Sequence, residues 1–111
     1  MMERRHDSLV VVEDPQVSNL VRAILRKRGY SVLLADPSQL LTLLRNPEPF
    51  GGVVVTNSPG LFREFADAVR LLYLSSSPDP KLEALFPNCR AVRKPFAPEE
   101  LVRAVEELKA S

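Results

Sequence analysis

The hydrophobic residues of this chain fall in short unbroken runs, separated by stretches where they recur every third or fourth position. The first run, 9–12, is Leu-Val-Val-Val and ends in Glu13-Asp14-Pro15. Unbroken β-branched runs of that length predict a strand buried on both faces, as in a parallel sheet. Asp14 then suits a helix N-cap, with Pro15 at the first helical position where its missing N–H costs nothing. Val17, Leu20, Val21, Ile24 and Leu25 follow at i, i+3, i+4, i+7 and i+8, one apolar helical stripe. Gly29 stops that helix, because glycine accepts the left-handed conformation that closes a helix end.

The pattern repeats. A second strand is predicted over 31–35, and Asp36-Pro37 repeats the cap-plus-proline start. Leu40, Leu41, Leu43 and Leu44 make a short helix that ends before "NPEPFGG". A third strand covers 53–56, and a brief helix over 61–69 turns Leu61, Phe62, Phe65 and Val69 inward. A fourth strand, 71–74, ends in Ser75-Ser76-Ser77, and 81–86 has room for a turn or two of helix. A fifth strand, 91–93, leads into Lys94-Pro95-Phe96, after which Pro98 opens a last helix with Leu101, Val102, Val105 and Leu108 on one side. Five strand–helix units with short connections predict an α/β layer fold around a parallel sheet, with residues 1–111 as one domain.

Composition narrows the function classes. A formal net charge of +1 gives no electrostatic footprint for nucleic acid and none for a membrane surface. The basic run "RAILRKRG" reads as a solvated helix face rather than a nucleic-acid patch. Cys89, the single cysteine, cannot form an internal disulfide, and it reads as a structural thiol because no base is placed beside it. No apolar run is long enough to span a bilayer, and "MMERRHDS" is not followed by a signal-type core. A reduced, cytoplasmic setting is expected, with His6 in a solvated tail.

Open parallel sheets bind ligands outside the carboxyl ends of their strands. Those ends carry Glu13 and Asp14, then Asn57, then Ser75, then Lys94. Paired carboxylates suit Mg²⁺, which takes hard oxygen ligands and keeps several waters. A lysine neutralises phosphoryl oxygens as a point charge, and a hydroxyl can donate to one of them. The set suggests phosphoryl handling.

With "LVVVEDP", "LLYLSS" and "VRKPFAPEEL" in this order, the chain resembles a receiver domain of bacterial two-component response regulators, the CheY-like fold, over residues 9–108. The resemblance implies a doubly wound (βα)5, flavodoxin-like sheet of five parallel strands in the order 2-1-3-4-5. It matches Glu13 and Asp14 to the metal-binding acids, Ser75 to the switch hydroxyl and Lys94 to the phosphate-contacting lysine. The phosphoacceptor of such domains is an aspartate at the end of the third strand, and strand pattern and spacing from Asp14 place Asn57 there. Counting back from Pro59 would instead reach Val55, in mid-strand; neither residue is an acid.

That departure has a definite chemical consequence. A carboxylate attacks phosphorus as an anion, whereas a carboxamide is neutral and a poor nucleophile. Asn57 also offers a metal no charge, so any Mg²⁺ held by Glu13, Asp14 and Asn57 is expected to be weak. Plainer roles stand beside these: an N-cap for Asp14, and a Lys94 paired with Asp14 or Glu13. Ala91 stands where the resemblance puts the aromatic of the conformational switch, and the third and fourth helices are short. The leading expectation is a pseudo-receiver that binds a protein, either a histidine kinase, a downstream signalling protein or a second copy. A second reading is a Mg-dependent phosphorelay receiver with a non-standard acceptor among Thr56, Ser58 and Ser75-Ser76-Ser77. An enzyme of the hydrolase or phosphotransferase class would need a nucleophile–base pair or a phosphate-cradling glycine loop. Neither is visible, since Gly51-Gly52 precedes a strand rather than a helix.

Overall fold

The computed structural model describes residues 8–47 and 50–110, which leaves His6 outside it. Five strands alternate with helices along the chain: β1 (Ser8–Val12), α1 (Pro15–Arg26), β2 (Ser31–Leu34), α2 (Pro37–Leu44) and β3 (Val53–Thr56). A 3₁₀ helix (Pro59–Phe65), β4 (Arg70–Ser75), α3 (Pro80–Leu85), β5 (Cys89–Arg93) and α4 (Pro98–Ala110) complete it. All neighbouring strands are parallel, in the order β2-β1-β3-β4-β5. This is the doubly wound five-stranded sheet that the sequence pattern and the resemblance implied.

The unbroken apolar runs are explained by burial on two faces. Leu9, Val11, Val53, Val55, Leu72, Leu74 and Val92 pack on one side with α1 and α4. Val10, Val12, Val54, Leu71 and Tyr73 face the other side, where Leu40 of α2, Phe62 and Leu82 of α3 cover them. Each fully buried Val or Leu side chain contributes roughly 1.5–3 kcal/mol relative to exposure. A polar residue anywhere in β1, β3 or β4 would therefore be costly unless bonded. The edge strand β2 is covered less well, and its Leu33 is 58% exposed.

Helix starts follow the caps read from sequence. Asp14 Oδ1 accepts from the Val17 N–H at 3.1 Å, and Asp36 Oδ1 accepts from the Gln39 N–H at 2.8 Å. Gln39 returns the bond through Oε1 to the Asp36 N–H, closing a capping box. The Gln39 N–H, then the Ser38 hydroxyl, hold the Asp36 carboxyl below the usual carboxylate range. Gly29 takes φ +88°, as the end of α1 requires. Gly52 answers a different need: any Cβ there would run into the Ser8 carbonyl oxygen and the Phe50 ring.

Three expectations need correction. Leu20 does not belong to the buried stripe of α1, being 52% exposed; the buried arc is rotated to run through Ser18, Val21 and Leu25. Leu61 is also exposed, at 53%, and the helix ends at Phe65 rather than at 69. The cause is the 3₁₀ winding, broken at Phe62 (φ −118°, ψ 20°), to which an α-helical period does not apply. Strand limits shift as well. β4 and β5 begin at Arg70 and Cys89, since backbone pairing does not require apolar side chains, and β2 stops at Leu34.

Candidate functional site

Strand register positions the site. Val12 pairs with Thr56 across β1 and β3, so the next residues, Glu13 and Asn57, stand side by side where the strands end. Thr56 pairs with Tyr73, and Ser75 with Arg93, so Ser75 and Lys94 leave the sheet at the same edge. The Lys94 N–H still donates to the Ser75 carbonyl at 2.9 Å, which ties the segment after β5 to the end of β4. The Lys94–Pro95 peptide is cis. Val55 lies inside β3 and is fully buried, while Asn57 is the first residue after the strand and is exposed.

Two of the five candidate side chains meet. Lys94 Nζ lies 3.0 Å from Glu13 Oε2, with the Glu13 side chain fully buried and Lys94 24% exposed. In the sheet order, β3 and β4 separate β1 from β5, so this pair bridges the ends of the strands that carry Asn57 and Ser75. Glu13 Oε1 accepts from the Asp14 N–H at 3.2 Å. Oε2 has no aligned hydrogen-bond donor among the described residues, so charge alone holds it to the ammonium. A buried pair of this kind adds little net stability, but removing one partner strands the other charge, a loss of about 3–5 kcal/mol.

The other three candidates are engaged locally. Asp14 is exposed and occupied as the cap of α1. Asn57 is exposed, and its Oδ1 accepts from the Ser58 hydroxyl at 3.1 Å. Ser75 Oγ accepts from the Ser77 N–H at 3.0 Å, folding the start of the next loop over the strand end. Neither Asn57 nor Ser75 hydrogen-bonds through its side chain to Lys94 or to the acids.

Three supporting roles escaped the sequence reading. Ser18, buried in α1, donates through its hydroxyl to the Glu13 carbonyl at 3.2 Å and so braces the end of β1. Thr56 is fully buried, and its Oγ1 accepts from the Ser58 N–H at 3.1 Å, bending the chain just past Asn57. Tyr73, 4% exposed, accepts at its hydroxyl from the Asp79 N–H at 3.2 Å and anchors the loop after Ser75. The available signal was a polar group at a position the apolar period assigns to the core.

No protein-family model and no curated protein matches the chain. Solved structures do match. FixJ-N is similar with a TM-score of 0.76 at 17% identity, over 99% of this chain and 96% of that one. The receiver domain of a sensor histidine kinase from Pseudomonas aeruginosa PAO1, which has a magnesium ion coordinated in its active-site cleft, gives 0.74 at 20%, over 94% and 98%. The chemotaxis response regulator CheY4 of Vibrio cholerae gives 0.71 at 18%, over 91% and 96%. The fold is that of a response regulator receiver domain.

In this receiver fold the oxygens of Glu13, Asp14 and Asn57 are of the hard type that magnesium takes, so the ion is compatible with the pocket. Yet no three His, Cys, Asp or Glu side chains gather into a metal-binding group among the described residues. Such an ion would draw one buried carboxylate, one exposed carboxylate and a neutral amide, with water completing its shell.

Proposed function

We propose that this chain is a receiver-like signalling module of the response-regulator type, formed by residues 1–111 as one domain, and a pseudo-receiver. It is not phosphorylated at the usual place and acts by binding a protein: a histidine kinase, a downstream signalling protein or a second copy of itself. The observation that carries this reading is an amide, Asn57, just past the end of β3 next to Glu13, together with a Lys94 whose charge is taken by that Glu13. Without a carboxylate there is no anionic nucleophile to receive a phosphoryl group, and Lys94 is drawn toward β1 instead. Magnesium at Glu13, Asp14 and Asn57 is weak in this reading, and the module has no enzymatic turnover of its own. A net charge of +1 supports a protein partner over nucleic acid or membrane. No helix among the described residues is long and apolar enough to cross a membrane, and the proposed setting is the cytoplasm.

The test is incubation with acetyl phosphate and Mg²⁺, followed by intact-mass spectrometry. The expected spectrum is that of the unmodified chain. A stoichiometric, hydroxylamine-sensitive adduct would overturn the proposal and restore a phosphorelay receiver with a non-standard acceptor. A hydroxylamine-resistant adduct would move the acceptor to a hydroxyl, of which Ser58 is exposed and Thr56 fully buried.

A further inference from the structure

We propose that the Lys94 ammonium is the resident cation of the strand-end pocket and that it competes with divalent metal for the Glu13 carboxylate. The starting point is the state of Glu13. Its side chain is fully buried, one oxygen is taken by the Asp14 N–H, and among the described residues the other is met by Lys94, at 3.0 Å, with no hydrogen-bond donor aligned on it. A carboxylate without water around it needs a counter-charge, and here the chain supplies its own.

A metal ion reaching Glu13 Oε2 would have to share that oxygen with the ammonium. Two cations on one buried carboxylate repel strongly, because little solvent lies between them to screen the interaction. Binding therefore requires Lys94 to leave. The other candidate ligands offset that cost poorly: Asp14 is already the cap of α1, and Asn57 brings an oxygen without a charge. Counted formally, Glu13 and Asp14 contribute −2 and Lys94 +1, for a net −1. An aspartate in place of Asn57 would make that sum −2, and removing Lys94 would do the same.

The inference concerns the same pocket as the functional proposal but not its behaviour toward phosphodonors, and no phosphodonor enters its test. Thermal melting of the whole chain and of Lys94→Met is measured with and without Mg²⁺, and Mn²⁺ is titrated against both by calorimetry. The wild-type melting temperature should stay within about 1 °C in about 20 mM Mg²⁺, whereas Lys94→Met should rise by about 4 °C or more. Mn²⁺ should bind Lys94→Met about tenfold more tightly than the wild type. A Lys94→Met chain that Mg²⁺ fails to stabilise overturns the proposal, whether or not that chain is folded in its absence. The double variant Glu13→Gln/Lys94→Met carries no stranded charge, so it should fold without metal and show no Mg²⁺ response. A response equal to that of Lys94→Met would put the metal elsewhere and overturn the proposal as well.

Discussion

Just past the end of β3, Asn57 carries an amide, which differs from a carboxylate by one NH₂ in place of one oxygen. The amide accepts from Ser58 and offers no charge to the lysine. Lys94 pairs with the buried Glu13 side chain, and Ser75 Oγ accepts from the Ser77 N–H in its own loop. The sequence left Asp14 and Glu13 open as partners of Lys94, and hydrogen bonding decides between them. Asp14 is spent on the Val17 N–H, while Glu13 is buried and needs a cation. Cys89 shows the same logic in a residue without a ligand. Burial first, then the Glu83 carboxylate, pushes its thiol from an ordinary 9.0 up to about 11, against a smaller opposing effect from Arg90. That rise lowers the thiolate fraction near pH 8 about a hundredfold. Alkylation by iodoacetamide in the folded chain should be slower by about that factor than in guanidinium, with mass spectrometry as the readout. Equal rates would mean that Cys89 is open to solvent.

At the scale of elements, the short 3₁₀ helix is where sequence and structure part most clearly. Its Phe62 is fully buried against β3 and β4, whereas Leu61, next to it, is 53% exposed. Phe62→Ala should lower unfolding free energy by about 3–5 kcal/mol, the usual loss for a buried aromatic. Leu61→Ala should change it by no more than about 0.5 kcal/mol. Urea denaturation of both variants checks the pair, and comparable losses would show that Leu61 also packs inward. The strands and the capped helices were legible because burial on two faces writes an unbroken apolar run and Asp-Pro marks a start. Residues 59–65 were misread because three residues per turn leave a period that neither a strand nor an α-helix template fits. Leu20 was misread for another reason. An apolar stripe fixes the helical period, but the neighbours of α1 decide which edge of the stripe is covered, and they are remote in sequence. The strand-end residues were legible one by one, and so was a Lys94 paired with one of the two acids; that the acid is Glu13 was not.

For the whole molecule, the strand-end contacts act together as a set of ties. The Lys94–Glu13 pair joins the end of β5 to the end of β1 over β3 and β4. The loop after β4 is held by Ser75 Oγ to the Ser77 N–H and by the Tyr73 hydroxyl to the Asp79 N–H. Ala91, exposed on β5, places no ring beside that loop which could exchange positions with Ser75. A ligand shifts an equilibrium only by its differential affinity for two states, so a molecule with one state offers nothing to shift. On the proposed reading, a partner would read a fixed surface, either α4 with the half-buried Phe96 or the outer side of α1, where Leu20 is exposed. Nuclear magnetic resonance of Asn57→Asp, with and without beryllofluoride as a phosphoryl mimic, separates a lost trigger from a lost switch. If the proposed reading holds, chemical-shift changes in Asn57→Asp should stay near Glu13, residue 57, Ser75 and Lys94. Changes that spread through Ala91 into α4 would show that the second conformation survives and that Asn57 alone keeps it from being reached.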